Sequence, residues 1–318
     1  MKGVILDRNS FDKGDLQTDC LELNNISWSS YPSTLAEQTV SRIHQANIVI
    51  TNKVLLDKNA IENSPDLKLV LVAATGTDNV DLTACREKGI DVCNVRNYST
   101  PAVAQHTIGL MLNLMTNQHR YFEEVKTGNW SEHDVFCMIN HPIMELQDKN
   151  LGVIGYGTLG KKVAEIATAF GMNILTCQRP GNTDIDSDRV AFRDVLAQSD
   201  IITLHCPLTD DTHRLFSHNE FRQMKNSAYL INTARGAIID SGALIQALKT
   251  NEISGAAIDV LDKEPPPANH DLLQNSMPNL IVTPHNAWAS QESRQRLVNL
   301  LVENLEHWLD GKPLNLVN

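Results

Sequence analysis

The sequence predicts an α/β protein made of two parallel-sheet units, and three observations lead there. Short apolar runs rich in β-branched residues recur along the chain, segments of helical spacing separate them, and the alternation occurs twice. At 318 residues there is room for two domains.

In chain order, Val4–Leu6, Ile48–Thr51, Lys68–Ala73 and Ile90–Val95 read as strands, and Leu35–Ala46 as a helix between the first two. Thr100 to Met115 carries Val103, Thr107, Leu110, Met111 and Leu114 at helical spacing, with Pro101 suited to a first turn. That long apolar helix is expected to connect domains or to meet a second copy. A second series follows: Leu151–Ile154, Asn173–Cys177, Asp200–His205, Ala228–Asn232, Gly255–Asp259 and Leu280–Thr283. Pro265-Pro266-Pro267 must be loop. A terminal amphipathic helix runs from about Ser290 to Leu309, with Leu297, Leu300, Leu301, Leu305 and Trp308 on one side.

Composition excludes several classes. Hydrophobic residues make up 42% and charged residues 20%, ordinary for a chain with a real core. A formal net charge of −11 and the lack of a basic run argue against nucleic acid and anionic membrane partners. No apolar run reaches the ~18 residues needed to span a bilayer, and the N-terminal apolar stretch is too short for a secretion signal. The six cysteines form no C-x-x-C pair and no zinc spacing, so reduced thiols, a cytoplasmic location and no metal are expected.

Gly155-Tyr156-Gly157-Thr158-Leu159-Gly160 follows an apolar strand and opens a helix read as Lys161 to Phe170. The glycines permit a tight turn and close approach of backbone to a pyrophosphate, and the helix N-terminus turns free N–H groups toward the phosphates. Dinucleotide binding is the expectation; a purely structural glycine turn is the alternative. An acid that holds the adenosine ribose in NAD proteins would fall at Gln178, which Arg179 and Pro180 follow. A neutral amide beside an arginine tolerates a 2′-phosphate, so the cofactor reading is NAD or NADP.

Separate blocks then resemble one family in order: Thr75-Gly76-Thr77-Asp78-Asn79-Val80-Asp81, Gln105-His106-Thr107, the Gly155 turn, Asn232-Thr233-Ala234-Arg235-Gly236, Asp259-Val260, Glu264-Pro265, and Pro284-His285-Asn286-Ala287-Trp288. Over nearly its whole length the chain resembles the D-isomer-specific 2-hydroxyacid dehydrogenases, most closely the glycerate dehydrogenase/hydroxypyruvate reductase branch. The resemblance implies two Rossmann-like doubly wound domains, with an NAD(P)-binding domain (100–286) inserted into a substrate domain (1–99 and 287–318). It also implies a homodimer formed through the nucleotide domains, and a small 2-oxo or 2-hydroxy acid as substrate.

Chemistry and resemblance together assign roles. A carbonyl that takes up a hydride needs a proton on its oxygen and an anchor for the neighbouring carboxylate. Arg235, after a strand end, suits the anchoring and polarising role because a guanidinium grips oxygens in one plane. His285 suits proton transfer near neutral pH, with Glu264 holding its ring. The resemblance places Asp259 beside the nicotinamide carboxamide, and Thr75 and Gly76 at the substrate carboxylate. Thr107, Thr158, Leu159, Cys206, Pro207, Thr212, Thr233 and Ala234 match cofactor-contact positions. Trp288 reads as the floor of a substrate pocket or as ordinary packing. His106 and the other histidines are read as structural. Two alternatives stay open: another dehydrogenase of the family, such as a D-lactate dehydrogenase, and a non-enzymatic, NAD-sensing, corepressor-like binding protein.

Overall fold

A computed structural model describes residues 1–22, 26–179, 188–274 and 277–318. Pro180 and the side chain of Cys20 lie outside the described residues. The chain divides into two compact units, one formed by Met1–Ser99 with Trp288–Asn318, the other by Thr100–Ala287. Ala287, which the sequence division assigns to the terminal segment, belongs to the central unit: its backbone N–H donates to Asp259 Oδ2 at 3.1 Å.

The first unit carries a five-stranded sheet in the order β2-β1-β3-β4-β5, every neighbouring pair parallel. Its strands are β1 (Lys2–Ile5), β2 (Ser27–Ser30), β3 (Ile48–Thr51), β4 (Leu69–Val72) and β5 (Asp91–Cys93). Alternate residues feed two cores, as strand period dictates. Val4, Val49, Val70 and Val92 meet α1 (Ala36–Ile43), α2 (Lys58–Glu62) and α3 (Leu82–Lys88) through Ile43, Ile61 and Cys85. On the other face, Ile48, Ile50, Leu69 and Leu71 share a core with Leu297, Leu301 and Leu305 of the last helix, Gln291–Leu309. That shared core ties the terminal segment to the N-terminal unit.

The central unit has a six-stranded sheet, also all parallel, made of β6 (Asn150–Ile154), β7 (Asn173–Thr176), β8 (Ile201–Leu204), β9 (Tyr229–Asn232), β10 (Gly255–Ile258) and β11 (Leu280–Val282). The order is β11-β10-β9-β8-β6-β7, so the strand order reverses at β6. One face packs on α4 (Thr100–Thr116) and α6 (Thr158–Ala169) through Val153, Ile201, Ile231 and Ala257. The opposite face packs Ile154, Ile202, Leu230 and Ile258 against α7 (Phe192–Gln198), α8 (His218–Gln223) and α9 (Ser241–Lys249). The remaining helices are α5 (Gln118–Lys126), α10 (Asp271–Gln274) and α11, the last helix above.

Three differences from the sequence reading have simple causes. Strand β2 is an exposed edge strand of sequence Ser-Trp-Ser-Ser, so no apolar run announces it. Ile90–Val95 narrows to Asp91–Cys93, although Asn94 and Val95 continue extended hydrogen bonding to Asn315 and Ala74. Helix α6 starts at Thr158 rather than Lys161, because Gly157 is its N-cap and accepts from the Lys161 N–H.

Candidate active site

The loops of the candidate site in the central unit follow carboxyl strand ends, where open α/β sheets bind ligands, and Thr107 joins them from α4. After β6, Gly155 has φ +93, a left-handed backbone that a side chain opposes. A Cβ there would fall 2.4 Å from the Cys206 nitrogen, and one on Gly160 2.2 Å from the Gly155 carbonyl oxygen. At Gly157 nothing lies within 4 Å of that position. Open space therefore faces the start of α6, whose first N–H groups have no partner within the helix. A cradle of this kind fits the pyrophosphate of a dinucleotide. Two cations approach the Tyr156 ring, with Lys161 Nζ 5.9 Å and the Arg189 guanidinium 5.6 Å from its centre. Past β7, Gln178 is buried and Arg179 exposed.

The turn after β8 packs against Gly155. Cys206 is buried there, and burial pushes its thiol up to about 11. His205 beside it is held neutral by burial, its pKa pushed down to about 4; its Nε2 contacts Thr203 Oγ1 at 3.0 Å and its enclosed Nδ1 has no partner. Pro207 is exposed, whereas Thr212 is buried and donates its hydroxyl to the Pro207 carbonyl at 2.7 Å.

After β9, the fully buried Asn232 shapes the turn, accepting from the Ala234 N–H and donating to the Arg235 carbonyl, both at 2.9 Å. Arg235 is half-buried and donates from Nη1 to the Ala234 carbonyl at 2.8 Å. Among the described residues no carboxylate pairs with its guanidinium. Thr233 meets Thr107 of α4, hydroxyl to hydroxyl at 3.2 Å, and Thr107 itself is fully buried and donates to the Val103 carbonyl.

The last two strands bring Glu264 and His285 together. His285 Nδ1 lies 2.5 Å from Glu264 Oε2, while Glu264 Oε1 accepts from the Leu261 N–H at 2.8 Å. Both side chains are about one-third exposed, 30% and 31%. The ring is held through Nδ1, and Nε2 is the nitrogen that Glu264 does not engage. His285 has φ +51, a left-handed backbone that costs a non-glycine residue roughly 1–3 kcal/mol. Asp259, 1% exposed, spends its carboxylate on that segment, accepting from the N–H groups of Asn286 and Ala287 at 3.1 Å each and from the Thr283 hydroxyl at 2.6 Å.

In the other unit, Thr75 donates its hydroxyl to the Val95 carbonyl at 2.8 Å, and Asn94 Nδ2 donates to the Thr75 carbonyl at 2.7 Å, which ties Thr75 to the segment that follows β5. Trp288 packs edge-on to Tyr98, ring centres 6.1 Å apart, on the core that holds α11.

The structure thus brings Glu264 and His285 into contact, sets Arg235 and the Gly155 turn after other strands of the same unit, and turns Thr107, Thr212 and Asp259 inward. Sequence reasoning missed His205, Thr283 and Asp7. Asp7 is a buried carboxylate that binds the N–H groups of Asn52 and Lys53 at 2.9 and 2.7 Å. No local signal marks Asp7, because its partners lie 45 and 46 residues away.

Fold and turn define an α/β protein with a dinucleotide-binding unit, and comparison with known proteins narrows the class. Residues 108–287 match the model of the D-isomer specific 2-hydroxyacid dehydrogenase, NAD binding domain. Glycerate dehydrogenase of Methylorubrum extorquens is 43% identical, covering 99% of this chain and 98% of that protein. Hydroxypyruvate reductase of Blautia hydrogenotrophica is 36% identical, covering 100% of each. Among solved structures, the TT0316 protein from Thermus thermophilus superposes with a TM-score of 0.89 at 30% identity, covering 100% of both chains. The chain belongs to the D-isomer specific 2-hydroxyacid dehydrogenase family, oxidoreductases that act on a CH–OH group with a nicotinamide cofactor.

Proposed function

We propose that this protein is a hydroxypyruvate reductase, interconverting hydroxypyruvate and D-glycerate and also accepting glyoxylate. The observation that carries the reading is the His285–Glu264 contact at 2.5 Å, an oriented imidazole on the unit that holds the glycine turn. Arg235, a half-buried cation without a carboxylate partner among the described residues, grips the substrate carboxylate and draws electron density from the carbonyl. A nicotinamide dinucleotide held at the Gly155 turn and the start of α6 would supply the hydride to the carbonyl carbon, or take it in the reverse direction. His285 gives its Nε2 proton to the carbonyl oxygen in reduction and takes one back in oxidation. Glu264 holds the ring and stabilises its cationic form. The relatives named glycerate dehydrogenase and hydroxypyruvate reductase support this choice of substrate.

Within the same proposal, NADPH is accepted as well as NADH. A buried neutral Gln178 follows β7 where an adenosine ribose would lie, with Arg179 exposed beside it. The central unit is the nucleotide domain and associates as a homodimer. Phe122, Trp130, Phe136 and Ile139 of this unit are 60%, 51%, 88% and 78% exposed, apolar side chains that a subunit contact would cover. A monomeric mass at micromolar concentration would count against that dimer. The free thiols Cys85, Cys93, Cys137, Cys177 and Cys206 fit a reducing, cytosolic setting.

The test is a rate panel of hydroxypyruvate, glyoxylate and pyruvate against NADH and NADPH, run on wild type and His285→Ala. Hydroxypyruvate should be reduced fastest, and the variant should lose about 10²–10⁴ in kcat with cofactor affinity nearly intact. No oxidation of either cofactor by any of the three acids would end the assignment.

A further inference from the structure

The strained turn at His285 is tied through partly buried polar groups, beginning with His106 on α4, to the buried carboxylate of Asp259. The Thr283 hydroxyl donates to Asp259 Oδ1 at 2.6 Å, so its oxygen is left to accept from His106 Nε2, 3.2 Å away. That assignment puts the His106 proton on Nε2, which also lies 3.5 Å from Asp259 Oδ1. Asp259 in turn accepts the N–H groups of Asn286 and Ala287 on separate oxygens, Oδ1 and Oδ2. The His285 N–H points to the Asp259 carbonyl at 2.8 Å. Backbone of this kind wraps an anion, and the resident anion is the protein's own carboxylate.

We propose that Thr283 and His106 are positioning residues. Acting through Asp259, they hold residues 284–287 in the left-handed conformation that sets the His285 ring against Glu264. The proposal rests on the proton-transfer role given to His285 above. Neither side chain needs to touch substrate or cofactor, and both act on the orientation of the ring that does. Without the Thr283 hydroxyl, Asp259 Oδ1 keeps one firm donor instead of two and the carboxylate can swing off the turn. Without His106 the hydroxyl loses only the donor that fixes its direction, so the effect should be smaller.

The test compares Thr283→Val, which keeps the shape and removes the hydroxyl, with Thr283→Ser, which restores the hydroxyl, and with His106→Phe. For Thr283→Val, kcat with hydroxypyruvate should fall about 10–30-fold while the dissociation constant for NADH stays within threefold. Thr283→Ser should stay within threefold of wild type, and His106→Phe should lose about threefold to tenfold. Amide exchange at Asn286 and Ala287 should quicken most in the valine variant, less in His106→Phe, and not in Thr283→Ser. A valine variant as active as wild type, or one losing cofactor affinity in step with kcat, overturns the proposal. Inactive wild type would overturn the functional reading instead. The exchange rates then judge the clamp by themselves: unchanged rates in the valine variant overturn it and faster ones support it.

Discussion

The two units share a strand order and differ in what stands at the place where that order reverses. In each, the first strand lies between the second and the third: β1 between β2 and β3, β6 between β7 and β8. After β1 the chain sets down Asp7, whose carboxylate takes the N–H groups of Asn52 and Lys53 in the turn after β3. After β6 it sets down Gly155, which leaves no side chain between itself and the backbone of Cys206 after β8. One crevice is thus filled by the protein's own anion, and the other keeps its N–H groups for an anion brought by a ligand. The same parallel-sheet geometry makes both, and what differs is the residue after the first strand: a carboxylate in one, no side chain in the other.

The largest effect expected from this contrast is at Gly155. An alanine there meets backbone at 2.4 Å and must adopt φ +93, so the turn has to move. Gly155→Ala should weaken NADH binding by at least about a hundredfold, roughly 3 kcal/mol, as read by fluorescence titration. Binding within threefold of wild type would break the comparison, since the emptiness of the crevice would then not matter.

The counterpart in the other unit should act on stability. Asp7→Ala leaves the buried Asn52 N–H and the partly buried Lys53 N–H without their acceptor, and unfolding by urea should show a loss of about 2 kcal/mol. Burial raises the Asp7 pKa above its ordinary 3.8 even though Asn52, Lys53, Val54 and Ser10 pull it down. The folded protein therefore takes up this proton more readily than the unfolded chain. The resulting stabilisation is full below pH 3.8 and fades as pH rises through the raised value. The deficit of Asp7→Ala should accordingly be larger at about pH 4 than at about pH 7. A deficit that does not change with pH would mean that Asp7 does not gain a proton on folding.

The contrast also explains what was legible in the sequence. Runs such as Ile48–Thr51 and Leu69–Val72 are buried along their whole length, so composition alone marks them as strands. Ser27–Ser30 faces solvent and has no such mark. The glycine turn could be read because its backbone geometry demands glycine at fixed spacing. Arg235, Glu264 and His285 were reached through the family blocks, because a contact between residues 264 and 285 is set by the distance between β10 and β11, which no local pattern encodes. Asp7 and Thr283 bind across neighbouring strand ends, and in the sequence each is only a polar residue closing an apolar run.

The smallest expected effect concerns the wall of the open crevice. His205 lies next to Cys206, whose backbone closes on Gly155, and its ring is enclosed with Nδ1 bonded to nothing. A proton on that nitrogen would be a buried charge without a partner, which is why the pKa falls from 6.5 to about 4. The unfolded chain binds this proton first as the solution is acidified. Stability conferred by the neutral ring is therefore complete above pH 6.5 and drains away as pH drops toward 4. Between about pH 6.5 and about pH 5, wild type should lose about 1–2 kcal/mol more than His205→Gln, which keeps an amide near Thr203 and cannot titrate. Parallel stability curves for the two proteins would show that the ring gains a partner on protonation, and the crevice wall would then be less dry than its packing implies.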